Sequence, residues 1–142
     1  MSSIDQLTEN DVVAAVCQYL ESNGFNIESR LTTTQQGDDI VATQPGLKLC
    51  IEAKGATSAR TGSRRFGRPF DSAQARVHVA EAVYRAIQVL SRPRDEVDIR
   101  AGIALPANDC HERELASVKN MLKQLRIIVF WVKGTDEVQQ VN

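Results

Sequence analysis

Three features of the sequence predict an α/β fold with a mixed central sheet and helices on both faces. Three short β-type runs precede a long segment with helical apolar spacing, and Pro45-Gly46 stands between the second and third of them. Two later apolar runs, "IRAGIALP" and "RIIVFWV", each follow a helical segment. Strands joined by a tight turn pair antiparallel, whereas a strand reached through a helix returns parallel. The order αβββαβαβ therefore joins an antiparallel meander to two parallel crossovers. At 142 residues, the chain is long enough for one domain with a real core and too short for two comfortable ones, so residues 1–142 are read as one unit.

The first helix is expected to begin at Thr8, whose hydroxyl can cap while Asp11 closes a T-x-x-D box. Val12, Val13, Val16, Tyr19 and Leu20 recur at helical spacing, and Asn23-Gly24 supplies the stop. "FNIESRL", "DDIVAT" and "LKLCIEAK" are the three early strands. The long helix should run from near Asp71 to about Leu90. Its apolar positions Val77, Val79, Ala80, Val83, Tyr84, Ile87 and Leu90 cover a wide face suited to lie on a sheet. "IRAGIALP" is the fourth strand, ended by Pro106. Asp109 and Glu112 form a second capping-box pattern, before a helix with Leu115, Val118, Leu122 and Leu125 facing inward. "RIIVFWV" is nearly all apolar, as in a strand covered on both faces.

Composition bounds the function. Apolar residues make up 42% and charged residues 25%, ordinary for a globular chain. No run of about eighteen apolar residues exists, and "MSSIDQLTEN" lacks the basic start and apolar stretch of a secretory signal. Cys17, Cys50 and Cys110 are widely spaced with no C-x-x-C pair, which suggests neither a disulfide framework nor a zinc site. A cytoplasmic protein with reduced thiols and no membrane association is expected. Seventeen Lys and Arg against eighteen Asp and Glu give a net charge of −1, which does not by itself announce a nucleic-acid binder. The distribution says more. "GATSARTGSRRFGRPF" carries Arg60, Arg64, Arg65 and Arg68 and no acid. Such a patch can hold a polyanion at one place. A solvated loop accounts for it equally well.

The turn between the second and third strands carries the chemistry. Pro45 and Gly46 suit the centre of a type II turn, where glycine accepts the positive φ. With that tip, Thr43 faces Lys48, Val41 faces Cys50 and Asp39 lies opposite Glu52. Lys54, two residues on, projects from the same face as Glu52. Ile40, Leu49, Ile51 and Ala53 fall on the other face and can enter the core. Two carboxylates directly across a ladder repel by up to about 1 kcal/mol. A hard cation resolves the conflict, since Mg²⁺ takes one or two carboxylates together with substrate phosphate and water. An ammonium beside it can orient a water or stabilise charge on a phosphate oxygen.

In this arrangement the sequence resembles the PD-(D/E)XK nuclease superfamily, whose signature is a hairpin with an acid before an apolar run and then acid-x-lysine on the next strand. "GDDIVA" supplies Asp39, and "IEAKG" supplies Glu52 and Lys54. The proline of the family name is replaced by Asp38. The element order also matches that superfamily's restriction-endonuclease-like core, so the resemblance covers most of the chain. It implies that Asp39 and Glu52 bind Mg²⁺ or Mn²⁺, with the Ala53 carbonyl as a further ligand, and that Lys54 assists the nucleophilic water. The implied activity is metal-dependent hydrolysis of DNA phosphodiesters, in repair, recombination or restriction. Small members work as dimers, so the resemblance also implies a homodimer. The alternative is a module that keeps the fold and binds nucleic acid or a protein partner without catalysis.

Members of the superfamily often add an acid from the first helix. Glu9, on the inward stripe, is favoured over Asp11, although an acid in the first turn also suits the helix dipole. Relatives of this fold use a helix glutamine near the metal or DNA, which makes Gln74 a candidate site residue. Arg76, also at the start of the long helix, joins the four loop arginines as a candidate backbone contact. Simpler expectations cover the rest: His78 as a surface residue, Glu81 with Arg85 as an i,i+4 pair, Asp38 as a cap or turn residue, Cys110-His111 as a helix start without metal partners, and Trp131 as core.

Overall fold

The computed structural model describes residues 4–31, 37–57, 71–93 and 97–142. A short 3₁₀ turn at Ile4–Gln6 precedes α1 (Glu9–Ser22), followed by β1 (Asn26–Arg30), β2 (Ile40–Gln44), β3 (Leu47–Ala53) and α2 (Ser72–Leu90). Then come β4 (Asp98–Pro106), α3 (Asp109–Ala116), α4 (Lys119–Gln124), β5 (Ile128–Gly134) and β6 (Glu137–Val141). The strands form one six-stranded sheet in the order β1-β2-β3-β4-β5-β6. β1, β2 and β3 form the expected meander, β3–β4 and β4–β5 are parallel, and β6 returns antiparallel to β5.

Each sheet face is closed by helix. α1 buries Val12, Val13, Val16 and Leu20 against Ile40, Leu49, Ile51 and Phe130. α2 buries Val79, Ala82, Ala86 and Val89 on the opposite face, against Val41, Cys50, Ala101 and Ile103. Among the described residues, no helix is long and apolar enough to cross a membrane.

The capping box of α1 is present: the Asp11 amide donates to Thr8 Oγ1 at 3.2 Å, and the Thr8 amide donates to Asp11 Oδ2 at 2.9 Å. The hairpin tip also follows expectation. Thr43 pairs with Lys48 and Val41 with Cys50, and at the tip Gly46 alone takes a positive φ, of 78°.

Four expectations are corrected. α2 packs through its alanine-rich side, leaving Val77, Tyr84 and Ile87 exposed, because small residues let the helix approach the sheet closely. The cap of α3 is Asn108, whose Oδ1 accepts the His111 amide at 2.9 Å, and not Asp109. The single helix expected after the Asp109/Glu112 box, with Leu115, Val118, Leu122 and Leu125 facing inward, is broken in two. Ser117 Oγ bonds back to the Glu114 carbonyl and the Val118 amide to that of Leu115, which ends α3 and leaves Leu125 exposed. Finally, β6 adds a strand to the predicted order. Val138 packs on the first core while Val141 is exposed, so this edge strand lacks the apolar alternation that would announce it.

Candidate active site

β2 begins at Ile40, paired with Ile51, and Asp39 stands one position beyond, opposite Glu52. The two carboxyls lie close enough that each shifts the titration of the other. Asp39 Oδ2 also accepts the Ala53 amide at 2.8 Å, which ties the carboxylate to the backbone between the acid and the lysine of "EAK". Lys54 Nζ lies 3.5 Å from Glu52 Oε2 and 3.6 Å from Glu81 Oε2, with its side chain only 13% exposed. The Lys54 amide donates to the Ala104 carbonyl at 3.0 Å, holding the residue in line with the parallel neighbour β4.

Burial sets the electrostatics. Glu52 is raised to about 7, first by burial and then by the Asp39 charge, while Lys54 and Arg85 oppose the rise. Asp39 is raised as well, by burial, against the pull of the Ala53 amide, Glu52, Lys54 and Arg85. The Ala53 amide favours the charged form of Asp39, whereas the Asp39 charge disfavours that of Glu52. Together with burial, the repulsion expected across the ladder thus raises the carboxyls instead of parting them.

Glu9, the first residue of α1, joins this pair. It is raised to about 7 by burial and by Asp39, with Lys54 opposing and Glu81 adding to the rise. Gly55 explains how it arrives there. A Cβ at that position would meet the Glu9 amide nitrogen and lie 2.7 Å from the Thr8 carbonyl carbon. The Ala56 and Thr57 amides then donate to the Leu7 carbonyl at 2.7 and 3.3 Å, seating the start of α1 against the end of β3. Asp11 is occupied by the cap, so Glu9 is the first-helix acid that faces the hairpin.

α2 lays a polar stripe alongside. Gln74 completes a capping box with Asp71, accepting the Asp71 amide at 2.8 Å, so its carboxamide oxygen serves the helix start. His78 stacks on the buried ring of His111, with ring centres 5.6 Å apart, and its Nδ1 lies 3.4 Å from His111 Nε2. His78 is therefore no plain surface residue, and His111 has a ring partner. His111 Nδ1 lies 2.8 Å from Asn108 Oδ1, an acceptor, so it carries the proton and leaves Nε2 to accept from His78. Burial keeps both rings neutral, holding His78 below the ordinary range and His111, beside it, at about 4.

Further along, Glu81 reaches Lys54 instead of pairing with Arg85. Arg85 turns to Asp38, at 3.5 Å, and Arg92 clamps Asp38 with two bonds of 2.8 Å. Asp38 is an ion-paired anchor for the strand that delivers Asp39, held ionised against its burial by the Arg92 and Arg85 charges. Arg76 is exposed and, at about 100° per residue, falls off the Gln74–His78–Glu81–Arg85 stripe. Arg60, Arg64, Arg65 and Arg68 lie outside the described residues. Trp131 is half-buried at the margin of the second core.

The structure therefore assembles Glu9, Asp39, Glu52 and Lys54, and adds Glu81 and Arg85. The added residues recur at three- and four-residue steps from Gln74, a polar line on a helix otherwise read for its apolar positions. The donor set fits a hard cation: desolvated carboxyl oxygens from Asp39 and Glu52, with Glu9 beside them. Among the described residues, no three His, Cys, Asp or Glu side chains converge as a ready-made cage. Mg²⁺ needs only one or two carboxylates, the other positions going to water and phosphate. No protein-family model, curated protein or solved structure matches the chain.

Proposed function

We propose that the chain is a divalent-metal-dependent nuclease of the PD-(D/E)XK type, with a restriction-endonuclease-like core and DNA as its substrate. One observation carries this: Asp39 and Glu52 meet as a desolvated carboxyl pair, with the Lys54 ammonium 3.5 Å from Glu52. A hairpin under selection for stability alone gains nothing from burying two facing acids at its end. Asp39 and Glu52, with the Ala53 carbonyl and Glu9 as neighbours, would hold Mg²⁺ or Mn²⁺. The cation, when bound, supplies Lewis-acid polarisation of the phosphate and acidifies water.

The protein's own groups do the rest. Lys54, restrained by Glu52 and Glu81, donates to the attacking water or to a phosphate oxygen. The water oxygen bonds to phosphorus, one P–O ester bond breaks, and the proton from water ends on the leaving oxygen. The Asp38–Arg92 clamp keeps the strand before β2 fixed, so that Asp39 does not drift from Glu52.

The test is cleavage of plasmid, single-stranded and branched DNA with Mg²⁺ or Mn²⁺, with EDTA as control. Lys54→Ala should abolish cleavage and leave DNA affinity largely intact. Unchanged cleavage in that variant, with contaminating nuclease excluded, would remove Lys54 from the mechanism. The non-catalytic alternative keeps the fold without the chemistry, and DNA binding without cleavage by the wild type would favour it.

A further inference from the structure

Arg85 is held less well than its surroundings allow. Its contact with Asp38 is 3.5 Å long, while Arg92 already satisfies both oxygens of that carboxylate at 2.8 Å. Its Nε is buried with no hydrogen-bond partner among the described residues. A buried donor left without an acceptor is unfavourable, so an acceptor that draws the side chain toward it gains what the resting position lacks. Among the described residues the other such atom is Arg100 Nε, but that guanidinium is anchored on the Arg126 carbonyl at 3.0 Å, at the start of β4 and away from the acids. Arg85 differs because its charge bears on both Asp39 and Glu52. It also follows Glu81, the partner of Lys54, by one helical turn.

We infer that Arg85 is a phosphate-binding residue of this site, leaving Asp38 to Arg92 and engaging the non-bridging oxygens of a nucleic-acid phosphate when substrate arrives. The inference rests on the nuclease reading for its substrate. Guanidinium suits the role because its planar fork can meet two phosphate oxygens at once. A divalent cation on Asp39 and Glu52 would neutralise the charge that draws Arg85 toward them. Asp38 would lose only its longer contact, so the anchor of the strand survives the exchange. The electrostatic attraction between Arg85 and the acid pair thus becomes attraction for the phosphate that the pair and its cation receive.

The experiment measures anisotropy of labelled linear and branched DNA in Ca²⁺ and in EDTA across a salt series, for wild type, Arg85→Lys and Arg85→Ala. Thermal unfolding and Mg²⁺ cleavage are followed on the same proteins. Arg85→Ala should weaken binding in Ca²⁺ by about 10- to 100-fold, the scale of a charge-assisted bond. Its slope of log K against log salt should fall by about 0.9, one phosphate contact. Arg85→Lys should keep the slope and lose part of the affinity, because charge stays and the fork goes. Melting temperature should change little, since Arg92 still holds Asp38. Unchanged affinity and slope in Arg85→Ala, in a wild type that cleaves, would overturn the assignment and leave the nuclease standing. Wild type that binds DNA in an Arg85-dependent way without cleaving would uphold the phosphate contact and overturn the chemistry. Wild type that binds no DNA would overturn both.

Discussion

Gly55 decides whether the acid of α1 reaches the acids of the hairpin. In "IEAKG" it looks like a strand terminator, yet its function is close approach: any side chain there collides with the backbone of Thr8 and Glu9. Gly55→Ala should therefore destabilise the fold by about 1–3 kcal/mol, the usual range for forced overpacking. It should also push Glu9 away from Asp39. Chemical denaturation reads the first effect, and a stability equal to wild type would show that the contact relaxes without loss. The same scale explains Asp38. It stands just before Asp39, and two arginines hold it there. Neither partner could be read from sequence, because Arg85 and Arg92 lie 47 and 54 residues away.

Among the elements, α2 shows where periodicity succeeds and where it misleads. Its length and start at Asp71 follow from spacing and capping chemistry, but its wide apolar surface concealed which side meets the sheet. The helix chose alanines, so Val79 is 5% exposed and Tyr84 is 65% exposed. Val79→Ala should cost about 2 kcal/mol, whereas Tyr84→Ala should stay within about 0.5 kcal/mol of wild type. A larger loss for Tyr84→Ala would mean that another surface covers the helix. The hairpin, by contrast, was legible: Pro45-Gly46 at the centre of a two- or four-residue loop gives the register found, in which Asp39 lies against Glu52, while a three-residue loop would have shifted it. The helix stripe that completes the site was not, because Glu81 and Arg85 satisfy a local i,i+4 rule that their long-range partners override. β6 escaped notice for a related reason, since edge strands do not need an apolar face.

For the whole molecule, the buried acids make stability depend on pH. Glu9 and Glu52 stand at about 7 when folded, against an ordinary value of 4.5. A carboxyl raised on folding retains its proton where the unfolded chain has lost it, so its stabilisation is full at low pH and is lost as pH rises through 7. His78 and His111 are shifted downward from 6.5, so they weaken the fold as pH falls below that value. The effects oppose each other in acid and separate above neutrality, where the histidines are uncharged in both states. In EDTA, the melting temperature should fall between about pH 7 and 8.5, and Glu9→Gln should remove part of that fall. A wild-type profile flat over this range would place the acids in more solvent than the structure gives them.

The central claim is that Asp39 and Glu52 are paired for a cation. Its most direct measurement is thermal unfolding of wild type and of the double variant Asp39→Asn with Glu52→Gln, each in EDTA and in excess Mg²⁺ or Mn²⁺. The variant keeps the side-chain shapes and removes the acids. In EDTA it should equal wild type or exceed it by no more than about 1 kcal/mol. Metal should reverse the order, because a ligand at about 100 times its dissociation constant adds about 2.7 kcal/mol to a folded state that binds it. Only wild type should gain that increment. Equal metal-induced shifts in both proteins would put the ion elsewhere and return the hairpin to a structural role.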